Sequence, residues 1–104
     1  MKRTVKIIRV GEERSGVSEK TGSAWKSRDL DVKWEEEGVN GEFYDQCVNA
    51  SINGDTNAEA LNYHANAGTK FEARLYFGLA SAQGRTFNRI RIYLPEEANR
   101  IPTF

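Results

Sequence analysis

Residues 69–94 constrain the fold more than any other stretch. Phe71, Ala73, Leu75, Phe77 and Leu79 alternate with Lys70, Glu72, Arg74, Tyr76 and Gly78. Further on, Ile90, Ile92 and Leu94 alternate with Arg89, Arg91 and Tyr93. A period of two puts one set of side chains in a core and the other in water. Ser81-Ala82-Gln83-Gly84 supplies turn residues between the two runs, so the spacing predicts an antiparallel hairpin. The face predicted to be wet is unusual. It carries Arg74, Tyr76, Phe87, Arg89, Arg91 and Tyr93, cations mixed with rings, where Thr, Lys, Glu and Ser are the ordinary choice. Rings in water beside guanidinium groups suit flat, negatively charged ligands, single-stranded nucleic acid first among them.

A chain of 104 residues is one domain with a real core. Fifteen basic and fifteen acidic residues cancel, which argues against a bulk basic packing protein. A local basic stripe remains open, because the acids cluster in Glu12-Glu13, Glu35-Glu36-Glu37 and Glu96-Glu97. The single Cys47 forms no internal disulfide and fits a reducing cytoplasm. One Cys and one His cannot build a Cys/His zinc site, and no cofactor is expected. Met1-Lys2-Arg3-Thr4 leads straight into a strand with no apolar signal region. No apolar run approaches the ~20 residues that span a bilayer.

In chain order, residues 4–10 read as a first strand, with Ile7-Ile8 breaking its alternation where a strand bends. Residues 11–23, rich in Gly, Ser, Glu and Lys, read as a long mobile loop. Residues 24–35 form a second strand with Leu30, Val32 and Trp34 inward, in phase with Ala24. Trp25 falls on the polar side with Ser27, Asp29, Asp31 and Lys33, unless a β-bulge returns it to the core. Residues 42–53 form a third strand, with Gln46, Val48, Ala50 and Ile52 inward. Phe43, Asp45, Cys47 and Asn49 then face out, and Cys47 reads as an unreactive small residue. Thr56-Asn57-Ala58-Glu59 reads as a capping box opening a helix that runs to about Ala67, with Gly68 as its left-handed cap. Ala58, Leu61 and Ala65 would plug one end of a barrel. His64, the only histidine, lacks a Ser or Cys partner and reads as structural or solvent-facing.

Three strands, one short helix and two strands make an all-β protein. The order is that of the OB-fold, a five-stranded Greek-key barrel with its helix between strands three and four. The expected organisation is a barrel domain over residues 1–95 and a short tail over 96–104. Such barrels bind on strands two and three and on the loops joining strands one to two and four to five. Lys20 and Trp25 fall there, and the hairpin aromatics lie close by.

Two stretches resemble a family of small bacterial OB-fold proteins related to single-stranded-DNA-binding proteins. One is Ser15-Gly16-Val17-Ser18 followed by Lys20-Thr21-Gly22-Ser23-Ala24-Trp25-Lys26. The other is Gly84-Arg85-Thr86-Phe87-Asn88-Arg89-Ile90-Arg91-Ile92. With the element order the likeness covers about residues 4–95. It departs at Ser51 and Ile52, where a second Trp is expected, and at Thr86, where an aromatic is common. The resemblance implies sequence-independent binding of single-stranded DNA, usually by a homo-oligomer, a dimer or tetramer, in replication, repair and recombination. Glu96-Glu97 with Ile101, Pro102 and Phe104 is similar to the acidic tip by which bacterial single-strand binders recruit partner enzymes. The inserted Thr103, Arg100 and the missing linker favour a plain chain end.

The expected chemistry is stacking by Trp25, Phe87, Tyr76 and Tyr93, at ~1–3 kcal/mol per base. Phosphate contacts fall to Lys20, Lys26, Arg28, Arg74, Arg89 and Arg91. The bland alternatives are a Tyr76–Tyr93 cross-strand pair and ion pairs of Arg89 or Arg91 with Glu72. A rival of another class is an OB-fold protein-interaction module whose wet rings form an oligomer or partner interface. Catalysis is the weakest reading, because no phosphate loop, metal constellation or nucleophile–base pair is visible.

Overall fold

The computed structural model describes residues 1–103, and Ala82 through its backbone only. Five strands, β1 (Lys2–Val17), β2 (Ala24–Glu37), β3 (Phe43–Asn53), β4 (Lys70–Ala82) and β5 (Arg85–Tyr93), close a barrel in the order β1-β2-β3-β5-β4. Helix α1 (Ala58–Ala67) lies between β3 and β4, and a 3-10 turn follows at Glu96–Asn99. This is the architecture of an OB-like barrel. No helix among the described residues is long and apolar enough to cross a membrane.

The alternation places the core. Val5 and Ile7 of β1, Leu30, Val32 and Trp34 of β2, Ala50 and Ile52 of β3, Phe71, Ala73 and Leu75 of β4, and Ile92 of β5 pack together with Leu61 of α1 and Ala98. Val48 and Gln46 are half-buried in the inward phase read for β3. Ile7 is buried and Ile8 exposed because the β1–β2 register shifts between Ile7 and Arg9. α1 starts at Asn57, whose side-chain oxygen accepts from the Ala60 amide, and ends at Gly68 with φ 70°. Thr56 is therefore not the cap. Its hydroxyl accepts from Arg28 instead.

Two expectations are corrected. The long loop over residues 11–23 shrinks to residues 18–23, because residues 13–17 pair with residues 28–24 of β2. A ribbon wet on both faces carries no alternation to read. Phe77 and Leu79, in the buried phase of β4, are 55% and 73% exposed. β4 meets β1 only from Lys70 to Arg74, whereas its pairing with β5 continues to Ala82. The hairpin, turning at Gln83-Gly84 with both φ positive, thus projects beyond the barrel, where no opposing wall exists. The β1–β2 hairpin projects likewise. The molecule measures 45 × 42 × 18 Å, with a radius of gyration of 15.2 Å, against about 13 Å for a compact domain of this length.

Candidate nucleic-acid interface

The outward residues of β5 and β4 set cations against rings or small residues across the ladder. Arg74 stands opposite Tyr93, Tyr76 opposite Arg91, Gly78 opposite Arg89 and Ala80 opposite Phe87. The Tyr76 and Tyr93 rings meet edge to face, 5.5 Å between centroids, and both stay exposed. Gly78 covers nothing, since a Cβ there would meet no atom within 4 Å. It leaves a shallow depression of about 390 Å³, bordered by Tyr76, Phe77, Leu79, Arg89 and Arg91. Glu72 pairs with Lys2. Among the described residues no carboxylate pairs with Arg74, Arg89 or Arg91.

The Trp25 indole is 47% exposed and no bulge turns it inward. It overlies Gly16, its partner on β1, where a Cβ would stand 2.8 Å from Cζ2. Trp25 borders two adjoining depressions. One, of about 410 Å³, also takes in Arg14, Asn49, Ser51, Phe87 and Arg89. The other, of about 600 Å³, takes in Lys26, Asn53, Arg89 and Arg91. Arg89 therefore links the indole to the Tyr76 depression. Ser27, read as outward, is buried on the floor of both Trp25 depressions. Its Oγ has no hydrogen-bond partner among the described residues.

The acids on this wall are neutralised in place. Arg14 donates to Asp29 and Arg9 to Asp31, both at 2.7 Å, and Ser51 and Asn49 donate to the same two carboxylates. The Arg9 hydrogen bond, then that of Asn49, holds the Asp31 carboxyl below the usual carboxylate range. Polar Asn49, Ser51 and Asn53 thus frame the groove, side chains that a search for rings and cations passed over.

Two expected site residues, Arg28 and Lys20, stand away from the groove, and a third, Lys26, borders it but is already paired. Arg28 is buried: Nε donates to Thr56, Nη1 donates to the Gly11 carbonyl, and Nη2 faces Glu13 at 3.7 Å. It fastens β2 to β1 and to the start of α1, and has no reach to a phosphate. Lys26 is exposed but paired with Asp55, whose hydrogen bond raises the ammonium pKa. Lys20 sits in the turn over residues 18–23 and borders neither depression.

His64 is structural. Its Nε2 reaches the carbonyls of Glu97 and Arg100 at 3.0 and 2.7 Å, so Nε2 carries the proton and Nδ1 accepts from the Thr69 hydroxyl. This docks residues 96–100, and Glu96 pairs with Arg100. The backbone of the acidic pair is thus docked, and the Glu97 side chain stays exposed. Ile101 and Pro102 are exposed, and Phe104 lies outside the described residues. Among the described residues no group of three or more His, Cys, Asp and Glu could hold a metal ion.

Compared with protein-family models, curated proteins and solved structures, the chain matches none.

Proposed function

We propose that this protein binds single-stranded DNA with little sequence preference, stacking bases on Trp25, Phe87, Tyr76 and Tyr93 and holding phosphates with Arg74, Arg89 and Arg91. The observation that carries the reading is the groove where the Trp25 indole of β2 and the Arg89 guanidinium of β5 border one depression over the unpartnered Ser27 hydroxyl. A ring supplies a sequence-tolerant face and a cation follows the backbone. RNA shares both chemistries. A cytoplasmic role in replication, repair or recombination, as a homo-oligomer, accompanies the proposal, as does partner recruitment by Ile101, Pro102 and Phe104.

The test is a titration of oligo-dT of several lengths, read by gel shift and Trp fluorescence at low and high salt. Expected are quenching and affinity that falls linearly with log salt. Absence of binding to any single strand at micromolar protein and low salt sinks the reading. The exposed Phe77 and Leu79 favour the second reading, a module that binds protein.

A further inference from the structure

The chain is neutral overall, yet two of its hairpins each carry charge of one sign. The β4–β5 ribbon, residues 74–93, holds Arg74, Arg85, Arg89 and Arg91 and no acid. The β2–β3 hairpin end, residues 35–45, holds Glu35, Glu36, Glu37, Glu42 and Asp45 and no base. Both are also apolar on the outside. The ribbon exposes Phe77 and Leu79, and the hairpin end exposes Val39, Phe43 and Tyr44. Glu35 stands directly opposite Asp45 in the ladder, a like-charge pair that costs stability until a cation approaches. Among the described residues only Glu36 of these is engaged, by Arg3 and Trp34. Lys6, Lys33 and Lys70 share a depression with Glu35 and Asp45, which leaves Glu37 and Glu42 as the free charges at the far end.

One molecule cannot satisfy itself. Trp25, beside the ribbon's Arg89, is near the start of β2, and Glu37 is its last residue. Along a strand of 14 residues, at ~3.3 Å per residue, they stand up to about 40 Å apart. The exposed surface is 7430 Å², where a compact monomer of 11.8 kDa shows about 5,900 Å². That surplus matches what specific interfaces take up, about 1,600 Å².

We infer that the acidic, aromatic end of the β2–β3 hairpin of one copy docks on the basic, apolar β4–β5 ribbon of a second copy. The contact joins two different patches, so it is head-to-tail and closes as a ring or runs on as an open array. Opposite charge sets the register, and burial of Phe43, Tyr44, Phe77 and Leu79 supplies the driving force.

The test is sedimentation equilibrium of nuclease-treated full-length protein, with two charge-reversed variants: Glu37→Lys with Glu42→Lys, and Arg89→Glu with Arg91→Glu. Wild type is expected to associate at low salt and dissociate at high salt. Each variant alone is expected to be monomeric, and their equimolar mixture to associate again, because each restores the sign that the other lacks. If a reversal unfolds the chain, Glu37→Gln and Arg91→Gln serve instead, each raising the dissociation constant about two- to fivefold. A wild type monomeric up to millimolar protein, association indifferent to both reversals, or a mixture of folded variants that stays monomeric overturns the inference. No nucleic acid is present, so the result does not test single-strand binding, which would use the same Arg89 and Arg91 and therefore compete with this contact.

Discussion

The Trp25 indole packs directly on the backbone of Gly16 across the β1–β2 ribbon, leaving no room for a side chain there: an added Cβ would stand 2.8 to 3.0 Å from Cζ2, Cε2 and Nε1. Gly16 thereby sets the height at which the ring stands. Gly16→Ala should push the indole off its seat and weaken oligo-dT binding nearly as much as Trp25→Ala, about tenfold for one lost stacking contact. Melting temperatures of both variants should stay near wild type, since the site lies outside the core. Unchanged affinity in a folded Trp25→Ala variant removes the ring from the interface.

Arg89 and Arg91 border both the indole groove and the Tyr76 depression, and among the described residues neither is paired with a carboxylate. Replacing either with Ala should lower affinity evenly across sequences and reduce the slope of log affinity against log salt by about 1. Lys20→Ala, in the turn away from both depressions, should leave the slope unchanged.

Arg28 carries the opposite expectation. Its removal leaves the Gly11 carbonyl and the Thr56 hydroxyl without their donor. Arg28→Ala should cost about 3 kcal/mol in urea unfolding, from two charge-assisted hydrogen bonds. Arg28→Lys should recover only part, because an ammonium cannot span both acceptors in the fork geometry.

His64 ties α1 to the carbonyls of Glu97 and Arg100 and stacks edge to face on Phe71, 4.9 Å between centroids. His64→Ala should cost about 2–3 kcal/mol through the cavity and the orphaned carbonyls. Limited proteolysis should then cut near residues 96–100, which wild type resists.

Arg3, then Trp34, donates to Glu36 and holds its carboxyl below the ordinary range, as Arg9 and Asn49 do for Asp31. Folded values below unfolded ones mean that this stability is complete above the unfolded carboxylate pKa, about 4. It is lost as pH falls through the lower folded values. Thermal melts from pH 7 to pH 2 should show that loss, and Glu36→Gln should flatten its upper part.

The barrel was legible because its core strands alternate: Leu30, Val32 and Trp34, and Phe71, Ala73 and Leu75, are inward as their spacing requires. Period counting failed where the chain leaves the barrel. Phe77 and Leu79 keep the inward phase, but phase names a face without saying whether anything lies against it. Residues 13–17 failed for the converse reason, as a strand with two wet faces has no pattern. The charge of Arg28 pointed outward, whereas three partners scattered at Gly11, Glu13 and Thr56 bring it inside. Ser27 could not be found from spacing, because the residues around it, Trp25, Asn53 and Arg89, come from three strands.

The two seams that close the barrel are unequal. β1 and β4 share five pairs, from Lys2 with Arg74 to Lys6 with Lys70, whereas β3 and β5 meet at one, Ser51 with Arg91. The weaker of the two ladders thus adjoins the groove under Trp25. Along that edge side-chain packing, more than backbone hydrogen bonding, keeps the barrel shut.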